Sequence, residues 1–182
     1  DLSNESIFSL GGISEKTTVF DNESGEYPII KMDRYGFNNP DSVWGAKKTD
    51  AVLLGSSNTF GFGVKKGEDI ASQIRSLTKR SIINLGSPNT GPLGQLSGLK
   101  EYAEARSPSV VLWMYYEGNS LRHLGGEAKY NILRQYLWPD YSQDLMQKQE
   151  EIDAIRTKIA SDIRADSVIT SSNEEDSLFS FC

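Results

Sequence analysis

One cysteine, Cys182, and one histidine, His123, occur in 182 residues. A disulfide within the chain is thereby excluded, as is a metal site built from cysteines or from several histidines. Any imidazole base that this chain supplies is His123. Long apolar runs are also missing. The longest, Val110-Val-Leu-Trp-Met-Tyr-Tyr116, falls far short of the roughly 18–20 residues of a membrane-spanning helix. Basic clusters stop at pairs such as Lys47-Lys48 and Lys65-Lys66, and 19 Lys+Arg against 25 Asp+Glu leave a net charge of −6. That balance argues against a nucleic-acid binder held by phosphate contacts. Residues 1–20 carry no basic stretch followed by an apolar one, as a secretion leader would, and there are no repeats or low-complexity tracts. The start at Asp1 and the apolar end, Ser177-Leu-Phe-Ser-Phe-Cys182, read as a piece of a longer protein, which leaves a targeting signal or membrane anchor open. What is present is a globular composition, 37% hydrophobic, 24% charged and 10% aromatic, of a size that suits one domain.

Residues 1–50 are rich in Gly, Asn, Asp and Pro, as in Asn22-Glu-Ser-Gly25 and Arg34-Tyr-Gly-Phe-Asn-Asn-Pro40. They predict loops and short extended pieces. Their aromatics (Phe20, Tyr27, Tyr35, Phe37, Trp44) mark a lead segment packed on a core. A different pattern opens at Asp50 and defines a second unit, 51–182. Ala51-Val-Leu-Leu54 reads as a buried strand, followed by a Gly- and Ser-rich turn, 55–63. A helix over 68–78 places Ile70, Ile74 and Leu77 on one face. Ser81–Leu85 is a second strand closed by Gly86. A helix over about 93–105 follows, with Leu93, Leu96, Leu99 and Ala103 facing inward, and then a third strand over 109–115. This alternation predicts an α/β fold: a three-layer α/β/α arrangement with a parallel sheet, whose apolar strands are covered by helices on both faces. Further helices are expected over 127–138, ending at Pro139, and over 142–165, with a stripe of Leu145, Ile152, Ile155, Ile159 and Ile163. The polar stretch 166–176 reads as a loop.

Ligands of an open parallel sheet bind at the carboxyl ends of its strands. Here those ends carry Gly55-Ser-Ser57, Asn84-Leu-Gly86 and Glu117-Gly-Asn119, small residues with backbone N–H groups and a side-chain amide. Such a set suits a nucleophile and donors for an oxyanion. By itself a serine in a Gly–Ser turn is more often a cap, Gly86 equally a tight-turn residue, and Asn119 a residue tolerant of left-handed backbone. His123 is read as a surface histidine, and Glu117 as a surface acid or a brace for Arg122.

Taken together, Leu54-Gly-Ser-Ser-Asn-Thr-Phe-Gly61, Asn84-Leu-Gly86 and Tyr116-Glu-Gly-Asn119 resemble the blocks of the SGNH, or GDSL, hydrolases. The resemblance covers about residues 27–160, and Tyr27-Pro28, Asp33–Pro40 and Gly91-Pro92 resemble the lead segment of bacterial members. It implies a flavodoxin-like SGNH fold and ester hydrolysis through an acyl-enzyme, with a small ester or acylated carbohydrate as substrate. Ser57 then matches the nucleophile. Its own N–H, the N–H of Gly86 and the amide of Asn119 match the oxyanion donors. No metal or organic cofactor is implied, and related bacterial enzymes are often exported or membrane-anchored, which points to an extracytoplasmic location.

Three departures stand against this. Ser56 replaces the Asp that precedes the nucleophile in the family, Ser120 replaces the frequent Asp after the third-block Asn, and no Asp-x-x-His occurs anywhere. Without a base, Ser57 is a weak nucleophile. The expectation is an SGNH-like domain lacking its C-terminal catalytic block. The alternative is a non-catalytic protein that keeps the pocket for a glycan or acyl group. A nucleotide-binding flavodoxin-like domain is the weakest reading, because Gly55–Gly63 has neither a phosphate-loop Lys nor the GxGxxG spacing.

Overall fold

The computed structural model describes residues 7–20 and 27–178, with side chains through Ile163. The Asn22–Gly25 turn and the last residues, Cys182 among them, lie outside the described residues. Three strands, β3 (Ala51–Leu54), β4 (Ile82–Asn84) and β5 (Val110–Trp113), form a parallel sheet in the order β4-β3-β5. The sheet and its helices make this an α/β fold. Register pairs Ala51 with Ile82 and Val110, and Val52 with Ile83 and Val111. Paired residues share a face, so each face can be read from the sequence once the register is known.

On one face Ala51, Leu53 and Ile82 pack against Ala71 and Ile74 of α2 (Ile70–Thr78). Asp69 caps that helix, accepting from the Ser72 N–H at 2.9 Å. On the other face Val52, Leu54, Ile83 and Leu85 meet Phe37, Trp44, Tyr102, Ala103, Leu145 and Ile152. These residues come from the lead segment, from the helical stretch begun by α3 (Pro92–Gly98), from a short 3-10 turn (Leu145–Gln147), and from α6 (Gln149–Leu178). Val52, Leu53 and Leu54 have no exposed surface, and each such burial contributes roughly 1.5–3 kcal/mol.

Of the aromatics before residue 50, Phe37 and Trp44 are buried in this core with Tyr35 packed against it, while Tyr27 is exposed. The lead segment also contributes a small antiparallel hairpin, β1 (Thr17–Val19) with β2 (Ile29–Lys31). After α3 the helix widens into one π turn, Leu99–Ala103, and tightens over Glu104–Arg106. That change of pitch turns Glu101, Tyr102 and Ala103 inward together.

Four expectations need correction. Helices cover both faces of β3 and β4 but not of β5: Val110, Val111, Leu112 and Trp113 are 39–48% exposed, and β5 pairs on one side only. In α2, Leu77 is 82% exposed, because the small Ala71, not the larger Leu, makes the close approach to the sheet. The helix expected over 127–138 is a short one, α5 (Asn131–Gln135), and a separate helix that was not expected, α4 (Ser120–Glu127), precedes it. Two glycines inside α4, Gly125 and Gly126, hid it, since glycine disfavours helix interiors. The stretch 166–176 is not a loop but part of α6, which runs unbroken to Leu178. It contains no Gly or Pro to stop the hydrogen-bond ladder.

Candidate active site

Ser57 opens α1 (Ser57–Phe60), a single turn entered directly from the central strand β3. Among the described residues no hydrogen bond engages the Ser57 hydroxyl or its backbone N–H. The turn is held from behind by side-chain amides. Asn84 Nδ2 donates to the Thr59 carbonyl at 2.8 Å, and Asn38 Nδ2 donates to the Phe60 carbonyl at 2.8 Å. These are carbonyls that a one-turn helix leaves unpaired. Gly55, just before Ser56, is crowded by the same turn: a Cβ there would lie 2.0 Å from Thr59 Oγ1.

The second loop touches the first. A Cβ on Gly86 would lie 2.4 Å from the Phe60 nitrogen, so only glycine permits this approach. Ser87 N–H donates to the Gly55 carbonyl at 3.1 Å, and Leu85 N–H to that of Leu53 at 2.9 Å. The Gly86 N–H, expected to face an oxyanion, is bonded inside the protein: Asn84 Oδ1 accepts it at 2.9 Å. Gly86 thus acts here through its missing side chain.

The third loop is built differently. Tyr116 N–H donates to Ser120 Oγ at 3.1 Å, and Ser120 N–H donates to the Tyr116 carbonyl at 3.0 Å. The hydroxyl of Ser120 closes the turn in which Asn119 precedes α4. Asn119 makes no capping bond with its side chain, and its Oδ1 is buried with no partner among the described residues. No hydrogen bond joins Asn119 to Ser57 or Gly86 among the described residues. His123 lies one turn further on, with Nδ1 3.4 Å from the Thr90 carbonyl. It is not bonded to Ser57. Glu117 is exposed and forms no ion pair with Arg122 among the described residues.

A polar network missed by sequence reasoning supports the first two loops. Asp33, buried in the lead segment, accepts from Tyr35 N–H and Phe37 N–H at 2.9 Å each. It also accepts from Asn39 Nδ2 and Trp44 Nε1 at 2.8 Å each. Asn39 carries the network on. Its Nδ2 donates to the Asn84 carbonyl at 2.9 Å, and its Oδ1 accepts from the Asn84 N–H at 2.8 Å and from Arg75 Nη2. Asn84 then holds Gly86 and α1. Burial raises the Asp33 pKa, outweighing the hydrogen bonds that lower it. Burial lowers that of Arg75, against the raising pull of Asp69 and Asp33. The signal was the run Asp33–Pro40, whose polar side chains sit among aromatics. Pattern alone did not say what they touch.

Two further buried carboxylates tie helices together. Glu127 of α4 accepts from Gly91 N–H at 2.7 Å, Leu93 N–H at 3.0 Å and Gly94 N–H at 3.1 Å, capping α3 from another helix. Glu101 accepts from Tyr136 Oη, Ser142 Oγ, Gln143 N–H and Leu145 N–H. Desolvation, with Glu101 beside it, pushes the Tyr136 hydroxyl well above the ordinary phenol range. No three His, Cys, Asp or Glu gather as a metal ion would require, among the described residues.

No family model matches the chain, nor does any curated protein. A solved structure, AlinE4, an SGNH-hydrolase family esterase, is similar to it at 24% identity and a TM-score of 0.33, over 58% of this chain and 56% of that one. The match thus spans little more than half of that esterase, and at this TM-score it decides neither fold nor activity.

Proposed function

We propose that this chain carries the nucleophile loop of an SGNH-type ester hydrolase, with Ser57 attacking a small ester or acylated carbohydrate. The observation that carries this reading is the placement of Ser57. It is the first residue of a tightly braced turn at the carboxyl end of the central parallel strand, with hydroxyl and N–H unengaged among the described residues. The Ser57 N–H and the Asn119 amide are the proposed oxyanion donors. Gly86 is proposed to keep the two loops in contact rather than to donate, unless Asn84 releases its N–H. Among the described residues no base is hydrogen-bonded to Ser57, and His123 Nδ1 faces the Thr90 carbonyl.

A second reading, a non-catalytic glycan or acyl binder, is favoured by two observations. The Gly86 N–H is satisfied by Asn84, and among the described residues no base is bonded to the serine. Labelling with a fluorophosphonate, followed by peptide mass spectrometry, separates the two. The hydrolase reading expects labelling at Ser57 above every other serine, lost in Ser57→Ala and weakened in Asn119→Ala. Labelling no greater at Ser57 than elsewhere leaves the binding protein as the correct reading.

A further inference from the structure

In the sequence the cations are scattered pairs, but the fold gathers several of them. β3, β4 and β5 are parallel and start in register, with Ala51 beside Ile82 and Val110. The residues just before each strand therefore share one edge of the sheet, at the far end of the strands from Ser57. Lys47 and Lys48 precede β3, Lys79 and Arg80 precede β4, and Arg106 precedes β5. Hydrogen bonds tie these stretches together. Arg106 Nη2 donates to the Trp44 and Ala46 carbonyls at 3.1 Å each, and its Nε donates to Thr49 Oγ1 at 3.1 Å. Asp50 accepts from Ser81 N–H at 2.9 Å and from Arg80 Nη1 at 3.4 Å.

The local charge opposes that of the whole chain. Net charge is −6, yet on this edge those five cations stand with two carboxylates, Asp50 and Glu104. Asp50 is already engaged by Arg80 and Ser81. Lys47, Lys48 and Lys79 are exposed, and no side-chain hydrogen bond or ion pair engages them among the described residues. Phe8, Phe20 and Ile163, near the limits of the described side chains, line a groove with Phe60 and Gly86 at the other end of the strands.

A second observation is apolar. α2 runs back against the strands and ends at this same edge. In its last turn Leu77 is 82% exposed, two residues before Lys79. An exposed leucine gains nothing from the phosphates of a nucleic acid. At an anionic bilayer it leaves water for the hydrocarbon boundary, while the long lysine stems lie along the surface and carry their charges to the headgroups.

We propose that this edge of the sheet docks on an anionic lipid bilayer, with Leu77 entering the interface and Lys47, Lys48, Lys79 and Arg80 meeting headgroup phosphates. Docking in this way turns the Ser57 end of the strands away from the bilayer. The surface does not depend on Ser57 being a nucleophile.

Co-sedimentation of the chain with vesicles of mixed phosphatidylglycerol and phosphatidylcholine, and with vesicles of phosphatidylcholine alone, tests this. At low salt the mixed vesicles should bind at least about tenfold more tightly, and the advantage should shrink as salt is raised. Lys47→Glu combined with Lys48→Glu should weaken binding at least about tenfold, and Leu77→Ser should weaken it several-fold. Lys129→Glu reverses an exposed lysine beside the groove residue Tyr130, at the other end, and should stay within about twofold of the parent. Circular dichroism checks that each variant is folded, as substitution at exposed positions allows. Absence of binding to the mixed vesicles overturns the proposal. So does equal binding to phosphatidylcholine alone, or binding unchanged in the lysine pair variant or in Leu77→Ser. A loss in Lys129→Glu as large as in the pair variant would make net charge alone responsible. Displacement from the vesicles by an equimolar single-stranded oligonucleotide would make the edge a general phosphate surface. Either result also overturns it.

Discussion

Removing the Asn84 side chain should loosen both loops of the candidate site at once. The residue is fully buried. Its Oδ1 accepts from Gly86 N–H at 2.9 Å, and its Nδ2 donates to the Thr59 carbonyl at 2.8 Å. Asn84→Ala leaves both backbone groups buried without partners, at about 1–3 kcal/mol each. The expected loss is about 2–6 kcal/mol, a large part of the roughly 5–15 kcal/mol that holds a typical domain folded. Asn84→Asp separates the two bonds. A protonated carboxyl at this position keeps both, whereas an ionised one sets a carboxylate oxygen against the Thr59 carbonyl. The folded pKa of the new acid is then raised above its unfolded value of about 3.9. Its full stability is present below that value and is lost as pH rises, by about 1.4 kcal/mol per unit, until the folded group ionises. Urea unfolding followed by tryptophan fluorescence, at several pH values, reads both variants. A loss under about 0.5 kcal/mol in Asn84→Ala, or no widening pH gap for Asn84→Asp relative to the parent, would refute the brace.

Gly86→Ala drives a Cβ to 2.4 Å from the Phe60 nitrogen and should cost about 1–3 kcal/mol or more in the same unfolding assay. Asp33, whose pKa burial raises, gives the parent a stabilising contribution that is full below about pH 3.8 and falls as pH rises through the folded value. The advantage of the parent over Asp33→Asn should therefore be greatest in acid and narrow upward, as urea titrations across pH will read. His123→Gln removes a ring bonded to the Thr90 carbonyl and should leave the rate of fluorophosphonate labelling at Ser57 within about tenfold, or about 1.4 kcal/mol. Val111→Lys places a charge on the bare edge strand, where Val111 is 39% exposed. It should cost under about 0.5 kcal/mol in the same unfolding assay, as an exposed position does.

The strands were legible because they are short apolar runs between Gly-rich turns. Ala51–Leu54 and Ile82–Asn84 need no tertiary information to be seen as buried. The order of the three loops followed from strand, helix, strand alternation, and it placed Ser57 and Gly86 at one edge. The separate helix α4 and the full length of α6 were not legible. Gly125 and Gly126 weaken a helix that Glu127 then anchors to α3, and the polar residues after 165 carry no periodic signal.

For the site, residue types in the chain itself determined which groups are chemically capable: a serine at a turn, an asparagine amide, one imidazole and no thiol but Cys182. Tertiary structure alone decided which of those groups are free. Whether the Gly86 N–H faces a ligand or Asn84 depends on a rotamer two residues away, held by the Thr59 carbonyl, on a backbone that Asn39 fixes from 45 positions earlier. The ring of His123 turns to a carbonyl on the β4–α3 loop. Hydrogen bonds are directional and short-ranged, so their partners follow from packing in three dimensions, whereas burial of an apolar strand needs only that its residues be apolar.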